Sequence, residues 1–348
     1  MIRDIHLLSG TEEESVMENG KLLSIVIPAY NVEKYIRKCL DSFLEESVLP
    51  ELEILVINDG STDATPEIVS EYADRYPDSI RLISKENGGH GSAINRGVEE
   101  AQGSYFKVVD GDDWVDTRLL PEFVRMLKST DSDIVSNDFN LIEDETWKLK
   151  NRRKAVKNSY HYDREWGFAE AVNEPGITIH SMTVKTSVMK ANPTKLDEHC
   201  FYEDQEYILY PIPYASSITF SSIALYQYRI GRKGQSVDVS MMVKRHDQHL
   251  RVMESLLEYL DLHREKLPLY KQQYMDMLIA EAADDEYRIF LAKGNSRENR
   301  EDMKAFDDRI RRQYPGVYLA CSRKSVWLIR QSNYRIFGLG CLVYRIVR

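Results

Sequence analysis

Cysteine is scarce in this chain: four in 348 residues, with Cys39, Cys200, Cys321 and Cys341 showing no C-x-x-C spacing. That scatter argues against a zinc ribbon, a thioredoxin-type motif or a disulfide-stapled scaffold. Basic excess is lacking too. The 46 Lys+Arg against 56 Asp+Glu leave a formal net charge of −10, which disfavours a generic nucleic-acid binder, and no nucleic-acid partner is expected. The start, Met1-Ile2-Arg3-Asp4 leading into Thr11-Glu12-Glu13-Glu14, has no apolar signal-peptide core, so a reducing cytoplasmic setting is expected. The longest uncharged stretch, Tyr207 to Tyr228, contains Pro211, Pro213 and four serines, which suits a folded core rather than a membrane span. Low-complexity tracts and internal repeats are also lacking.

What is present is a strand-helix alternation from Leu22 to Asp138. Candidate strands are Leu23 to Pro28, Glu53 to Asn58, Ile80 to Ser84, Tyr105 to Val109 and Asp133 to Asn137, with amphipathic helical runs around Ile36 to Leu44 and Leu119 to Leu127. This spacing predicts an α/β fold with a mostly parallel sheet covered on both faces, and ligands beyond the C-terminal strand ends. Lys148 to Lys157 reads as a basic, polar loop or excursion, and Ile177 to Val184 and Ser217 to Arg229 as further strands. Polar-rich helices are expected at Leu250 to Leu260, Tyr270 to Leu278 and Asn299 to Arg312. The expected organisation is an extension at 1–20, a catalytic domain at 21–239, a helical region at 240–322 and a basic amphipathic tail at 323–348.

Four strand ends carry unusual residues. They are Pro28-Ala29-Tyr30-Asn31, Asn58-Asp59-Gly60-Ser61-Thr62-Asp63, Lys85-Glu86-Asn87-Gly88-Gly89-His90-Gly91 and Asp110-Gly111-Asp112-Asp113-Trp114. Turn and helix-capping chemistry accounts for Asn58 to Ser61 taken alone, and a tight strand-to-helix turn accounts for the glycines. The Asp110-Gly111-Asp112-Asp113 run is sharper, because three carboxylates crowded after an apolar strand repel one another unless a cation compensates them. An EF-hand loop fails, since Trp114 and Val115 stand where Asx and Gly are needed. A Rossmann cofactor turn fails because the first strand-helix turn has no glycine. A haloacid-dehalogenase-like phosphohydrolase with Asp110 as nucleophile remains an alternative, although that motif normally follows the first strand.

Read together, Ile25-Val26-Ile27-Pro28-Ala29-Tyr30-Asn31, Val56-Ile57-Asn58-Asp59-Gly60-Ser61-Thr62-Asp63, Asn87-Gly88-Gly89 through Ala93 and Asn95, and Asp110-Gly111-Asp112-Asp113 resemble, in order and spacing, the family 2 glycosyltransferases with the GT-A fold. The resemblance runs from about Leu22 to Trp114 and thins towards Asp238. It implies a nucleotide-diphosphate-sugar donor of the UDP class. By that resemblance Pro28, Ala29, Tyr30 and Glu33 would line the nucleoside pocket, Asp59 would hydrogen-bond the base, and Lys85, Asn87 and Asp113 would join the donor site. Asp110 would contact ribose or metal, and Asp112 would bind the Mn²⁺ or Mg²⁺ that bridges the diphosphate. Lys85 and Arg96 would add positive charge.

Inverting transfer also needs a base for the acceptor hydroxyl, and family members place it in a Glu-Asp pair. Phe201-Tyr202-Glu203-Asp204-Gln205-Glu206 fits, with Asp204 as the base; the competing reading is an acidic run at a helix start. Adjacent carboxylates also raise one another's pKa, which suits a base. The glycine-punctuated basic stretch Tyr228 to Ser236 reads as a lid over the diphosphate or as a plain surface turn. No Gln-x-x-Arg-Trp signature of processive synthases occurs, so single-sugar transfer is expected. From Arg323 to Arg348 the chain carries six basic residues, no acidic one, and many large apolar side chains. That composition suits peripheral contact with an anionic membrane, or packing on the protein or on a second copy. The resulting expectation is a metal-dependent inverting glycosyltransferase at the inner face of the cell membrane, acting on a glycan or lipid-linked acceptor in surface polysaccharide or glycolipid synthesis. A non-catalytic sugar-nucleotide-binding scaffold is the third reading.

Overall fold

The computed structural model describes residues 20–158, 161–172, 174, 176–231, 238–321 and 323–346. Its strands are β1 (Leu23–Ala29), β2 (Leu52–Asp59), β3 (Ile80–Lys85), β4 (Tyr105–Val108), β5 (Trp114–Val115), β6 (Ile134–Glu143), β7 (Leu149–Arg153), β8 (Glu165–Gly167), β9 (Met182–Lys185) and β10 (Ser217–Ile230). Helices α1 (Ile36–Asp41), α2 (Thr65–Arg75), α3 (His90–Glu100) and α4 (Leu120–Ser129) fill the crossovers of the first half. They are followed by the short helices α5 (Phe168–Ala171), α6 (Thr186–Ala191) and α7 (Asp204–Leu209). The C-terminal region adds α8 (Val239–Lys244), α9 (His246–Arg264), α10 (Leu269–Lys293), α11 (Arg297–Gln313), α12 (Pro315–Ala320), α13 (Lys324–Gln331) and α14 (Phe337–Ile346).

All these strands join one sheet in the order β3-β2-β1-β4-β9-β6-β10-β5, with β7 on β6 and β8 on β10. The β3-β2-β1-β4 portion is parallel, as the alternation predicts. Its β1 and β2 are buried along their whole length, because helices cover both faces. Beyond β4 the sheet turns mixed: β9 runs antiparallel to both β4 and β6, while β6 and β10 are parallel. The order of strand addition reverses at β1, with β2 and β3 on one side and β4 on the other, and this switch point opens a crevice at the C-terminal strand ends.

Two local expectations are corrected. Lys148 to Lys157 is not a loop, because β7 lies within it and pairs antiparallel with β6; all five β7 residues are exposed, so an edge strand was hidden by its lack of apolar alternation. Ile177 to Val184 is strand only from Met182 onward. Most of the lid stretch (232–236) and residues 1–19 of the N-terminal extension lie outside the described residues. The helices that begin at Val239 share a core with the sheet: one buried cluster runs from Val26 and Phe106 through Tyr207 to Tyr274, Tyr287 and Phe337.

Candidate active site

The loops after β1 and β2 are stitched together before either reaches the crevice. Asn31 adopts a left-handed backbone (φ 53°), and its Oδ1 accepts from the Thr62 N–H at 2.8 Å, while the Val32 N–H donates to Thr65 Oγ1. Glu33 accepts from the Ala64 N–H at 3.0 Å, so its side chain ties this junction together and is not among the residues lining the cavity.

Asp59, at the end of β2, has a nearly inaccessible carboxylate. Oδ1 accepts from Lys85 Nζ and the Gly88 N–H, both at 2.9 Å, and Oδ2 accepts from the Gly89 N–H at 2.8 Å. Asn87 Nδ2 donates to the Asp59 carbonyl at 2.8 Å. The glycine turn thus wraps around one carboxylate, and Gly89 (φ 89°) takes a backbone conformation that side-chain-bearing residues rarely adopt. This turn delivers His90 as the first residue of α3. The His90 ring bridges two distant acids, with Nδ1 2.6 Å from Glu203 Oε1 and Nε2 2.9 Å from Asp110 Oδ1. Burial works against a charged ring there, yet the two carboxylates outweigh it and hold the imidazolium well above the usual histidine range. Burial would likewise lift Asp110, but the His90 bond and charge keep its carboxyl below the ordinary value.

The three aspartates after β4 separate by environment. Asp110 and Asp112 line the cavity. Asp113 points inward: Oδ2 accepts from the Tyr226 hydroxyl at 2.7 Å and Oδ1 from the Arg229 N–H at 2.8 Å. Burial, reinforced by the Asp110 charge, pushes the Asp113 carboxyl well up. Arg229 also donates to the Asp112 carbonyl and pairs with Asp144, and its guanidinium lies over the rings of Tyr35, Trp114 and Trp147. The acidic loop is therefore locked onto β10. Ligand atoms of Asp110, Asp113 and His180 come within 4.8 Å of one another, a grouping that could hold a cation. Burial lowers His180 to about 4, against the pull of Asp110, which leaves the imidazole neutral and able to ligate. Asp113 would have to release two donors to join such a site, whereas Asp110 and Asp112 already face the cavity. The Asp110/Asp112 pair therefore fits a hard divalent ion better.

Asp204 is the first residue of α7, so the base and helix-start readings of the acidic run describe one position. Its carboxyl lines the same cavity and is pushed up to about 7, first by burial and then by the neighbouring Glu203 charge. The cavity measures about 780 Å³ and is lined by Pro28, Ala29 and Tyr30, by Asp204, and by His249, Asp285 and Arg288 of the C-terminal helices. That size lies within the range of small-ligand sites. Of the residues expected from sequence, Pro28, Ala29, Tyr30, Asp59, Asn87, Asp110, Asp112 and Asp204 converge on it, and Glu33, Lys85 and Asp113 stand behind it. His90, Glu203 and His180 were missed. The only sequence signal for His90 was its place after the Asn87-Gly88-Gly89 turn, and its partner Glu203 lies 113 positions away.

Residues 24–191 match the family model described as Glycosyl transferase family 2. The fold is of the GT-A type, and the matched segment carries the order of motifs expected of a glycosyltransferase domain. That match covers slightly under half of the chain, and it supports a glycosyl transferase family 2 assignment for residues 24–191. The uncharacterized glycosyltransferase EpsJ of Bacillus subtilis is 41% identical over 118 residues, covering 34% of this chain and 34% of EpsJ. The minor teichoic acid biosynthesis protein GgaB of the same organism is 27% identical over 264 residues, covering 73% of this chain and 28% of GgaB. The chain thus spans about a third of the length of these curated relatives. Residues 1–349 of Staphylococcus aureus TarS, solved with UDP-GlcNAc, superpose with TM-score 0.67 at 20% identity, covering 94% of this chain and 92% of that one. A mannosyltransferase from Pyrobaculum calidifontis, solved with GDP-Man and Mn²⁺, superposes with TM-score 0.50 at 14% identity, covering 95% and 88%. At those identities the structures speak to fold alone.

Proposed function

We propose that the protein transfers a single sugar, with inversion, from a UDP-sugar to a hydroxyl of a glycan or lipid-linked acceptor in surface polysaccharide or glycolipid synthesis. The observation that carries this reading is Asp204: a carboxyl pushed up to about 7, in the wall of a cavity also lined by Asp110, Asp112 and residues of the C-terminal helices. A base near neutrality takes a hydroxyl proton while remaining largely ionised at working pH. In this reading Pro28, Ala29 and Tyr30 hold the nucleoside, and Asp59 shapes that pocket through the glycine turn it anchors. His90, bonded to Asp110 and Glu203, ties the donor-side acid to the start of α7, where Asp204 lies. Asp110 and Asp112 would hold Mn²⁺ or Mg²⁺, which when bound supplies positive charge against the diphosphate leaving group. TarS with UDP-GlcNAc and the mannosyltransferase with Mn²⁺ support the donor class and cation by analogy of fold, and GgaB supports the polymer class of acceptor. An acceptor of that class would bring the enzyme to the inner face of the cell membrane. The family match lends nothing to the phosphohydrolase alternative, and Asp110 follows the fourth strand rather than the first.

The test is a panel of nucleotide sugars screened for thermal shift and turnover with and without Mn²⁺. One UDP-sugar is expected to stabilise the protein and to be consumed only with the cation. Phosphate release from simple phosphoesters without any acceptor, or nucleotide binding without turnover on any acceptor, would overturn the reading.

A further inference from the structure

The last two helices are held firmly on one side and bare on the other. Inward, α13 buries Val326 and Ile329, and α14 buries Phe337 and Cys341. Arg330 Nε (2.8 Å) and the Tyr334 hydroxyl (2.6 Å) both donate to the Asp307 carboxylate of α11. The pair is therefore part of the folded body. Outward, α14 exposes Leu339, Leu342, Val343 and Ile346, a spacing of i, i+3, i+4 and i+7 that defines one continuous helical stripe. Ile346 is 72% exposed, and Trp327 and Leu328 of α13 are 57% and 49% exposed. A helix that turns a complete apolar stripe to solvent while its opposite side is already packed has an unfilled partner position.

Charge selects the occupant. Residues 323–346 contain Arg323, Lys324, Arg330, Arg335 and Arg345 and no acid. Arg323 and Arg330 are paired with Asp285 and Asp307, whereas Lys324, Arg335 and Arg345 are exposed with no carboxylate partner among the described residues. A second copy seated on this stripe by two-fold symmetry would bring the same cations to face themselves with no acid between them. An anionic bilayer offers both complements at once, hydrocarbon for the stripe and lipid phosphate for the cations. Because the chain as a whole carries −10, such a surface would repel most of it and accept this face, which sets the orientation. On its inner side, Tyr344 of α14 lies near Arg288, a residue of the cavity wall.

We propose that α13 and α14 form a docking surface that seats the protein on an anionic membrane, with the stripe Leu339, Leu342, Val343 and Ile346 entering the interface and Lys324, Arg335 and Arg345 contacting lipid phosphates. This inference does not depend on the donor or acceptor assigned above.

The test is co-sedimentation of the full chain with phosphatidylcholine vesicles that either contain or lack phosphatidylglycerol. The unaltered protein is expected to partition at least tenfold more strongly onto the anionic vesicles, and to be released when salt is raised to about 1 M, where screening acts over roughly 3 Å. Leu342→Glu with Ile346→Glu, both at exposed positions, is expected to lower partitioning at least tenfold with an unchanged unfolding profile. Lys324→Glu with Arg335→Glu, at the start of α13 and in the turn before α14, gives an independent reading in case the first variant fails to fold. Brominated lipid is expected to quench fluorescence in the unaltered protein, with that quenching lost in Trp327→Phe. Equal partitioning on both vesicle types, binding that neither double variant weakens, or a solution dimer that the Leu342/Ile346 variant dissociates would overturn the proposal.

Discussion

If Asp204 is the base, the rate of sugar transfer follows its ionisation. With its carboxyl at about 7, roughly one tenth is ionised at pH 6 and about nine tenths at pH 8, so kcat should rise nearly tenfold across that interval and then flatten. Folding works in the opposite direction. A carboxyl raised from about 4 in the unfolded chain to about 7 when folded binds its proton more tightly in the native state, so its contribution to stability falls as pH rises through that window. His90, also raised, acts with the same sign. Lost activity at pH 6 therefore cannot be blamed on unfolding by these groups. Asp204→Asn removes the proton acceptor while keeping the shape, and a general base is worth about 10²–10⁴ in rate, or roughly 3–5 kcal/mol of barrier. The assay is initial-rate transfer at saturating donor from pH 5.5 to 8.5, together with calorimetric donor binding. A flat profile, or an Asp204→Asn enzyme that keeps more than a tenth of kcat, would refute the assignment. Loss of donor binding in that variant would show a structural defect instead.

Three further substitutions probe the surroundings. Asp112→Asn is expected to stay folded by circular dichroism while losing nearly all Mn²⁺-dependent donor turnover; full turnover would remove Asp112 from the cation site. Asp59→Asn puts an amide where three donors converge, so at least one loses its acceptor at a cost of about 2–4 kcal/mol, seen as a lower urea midpoint at unchanged slope. An unchanged midpoint would mean that the glycine turn does not depend on this carboxylate. Tyr226→Phe leaves buried Asp113 one donor short and should cost about 1.5–3 kcal/mol by the same measurement, while an effect confined to kcat would mark Asp113 as a participant in the reaction rather than a strut.

Much of the fold could be read from residue order, because it depends on near neighbours. The strands at β1 to β4 are apolar runs closed by turn residues, and each ends in a polar motif that the parallel crossover brings to the same edge. Pro28 to Tyr30, Asp59, Asn87 and Asp110 to Asp113 therefore declared both the architecture and the family resemblance of this segment. The edge strand β7 was illegible because its residues are all exposed, and backbone pairing to β6 holds it without an apolar signature. Long polar helices such as α10 were foreseen only in part, since their ends depend on packing against the sheet core.

The sequence by itself determined the doubly covered sheet, the acidic loop after its fourth strand and the cationic, acid-free end, since each is set by local pattern and composition. Only the tertiary structure decided what each acid does. It turned Asp113 inward onto Tyr226 and Arg229, spread Asp59 over the glycine turn, linked Asp110 to Glu203 through His90, and left Asp112 and Asp204 facing the cavity. It also showed that the last helices pack one side and leave a continuous apolar stripe bare. The reason is physical: a carboxylate's role follows from which donors lie within about 3 Å and how much water remains, and those neighbours come from segments as far as 113 positions apart.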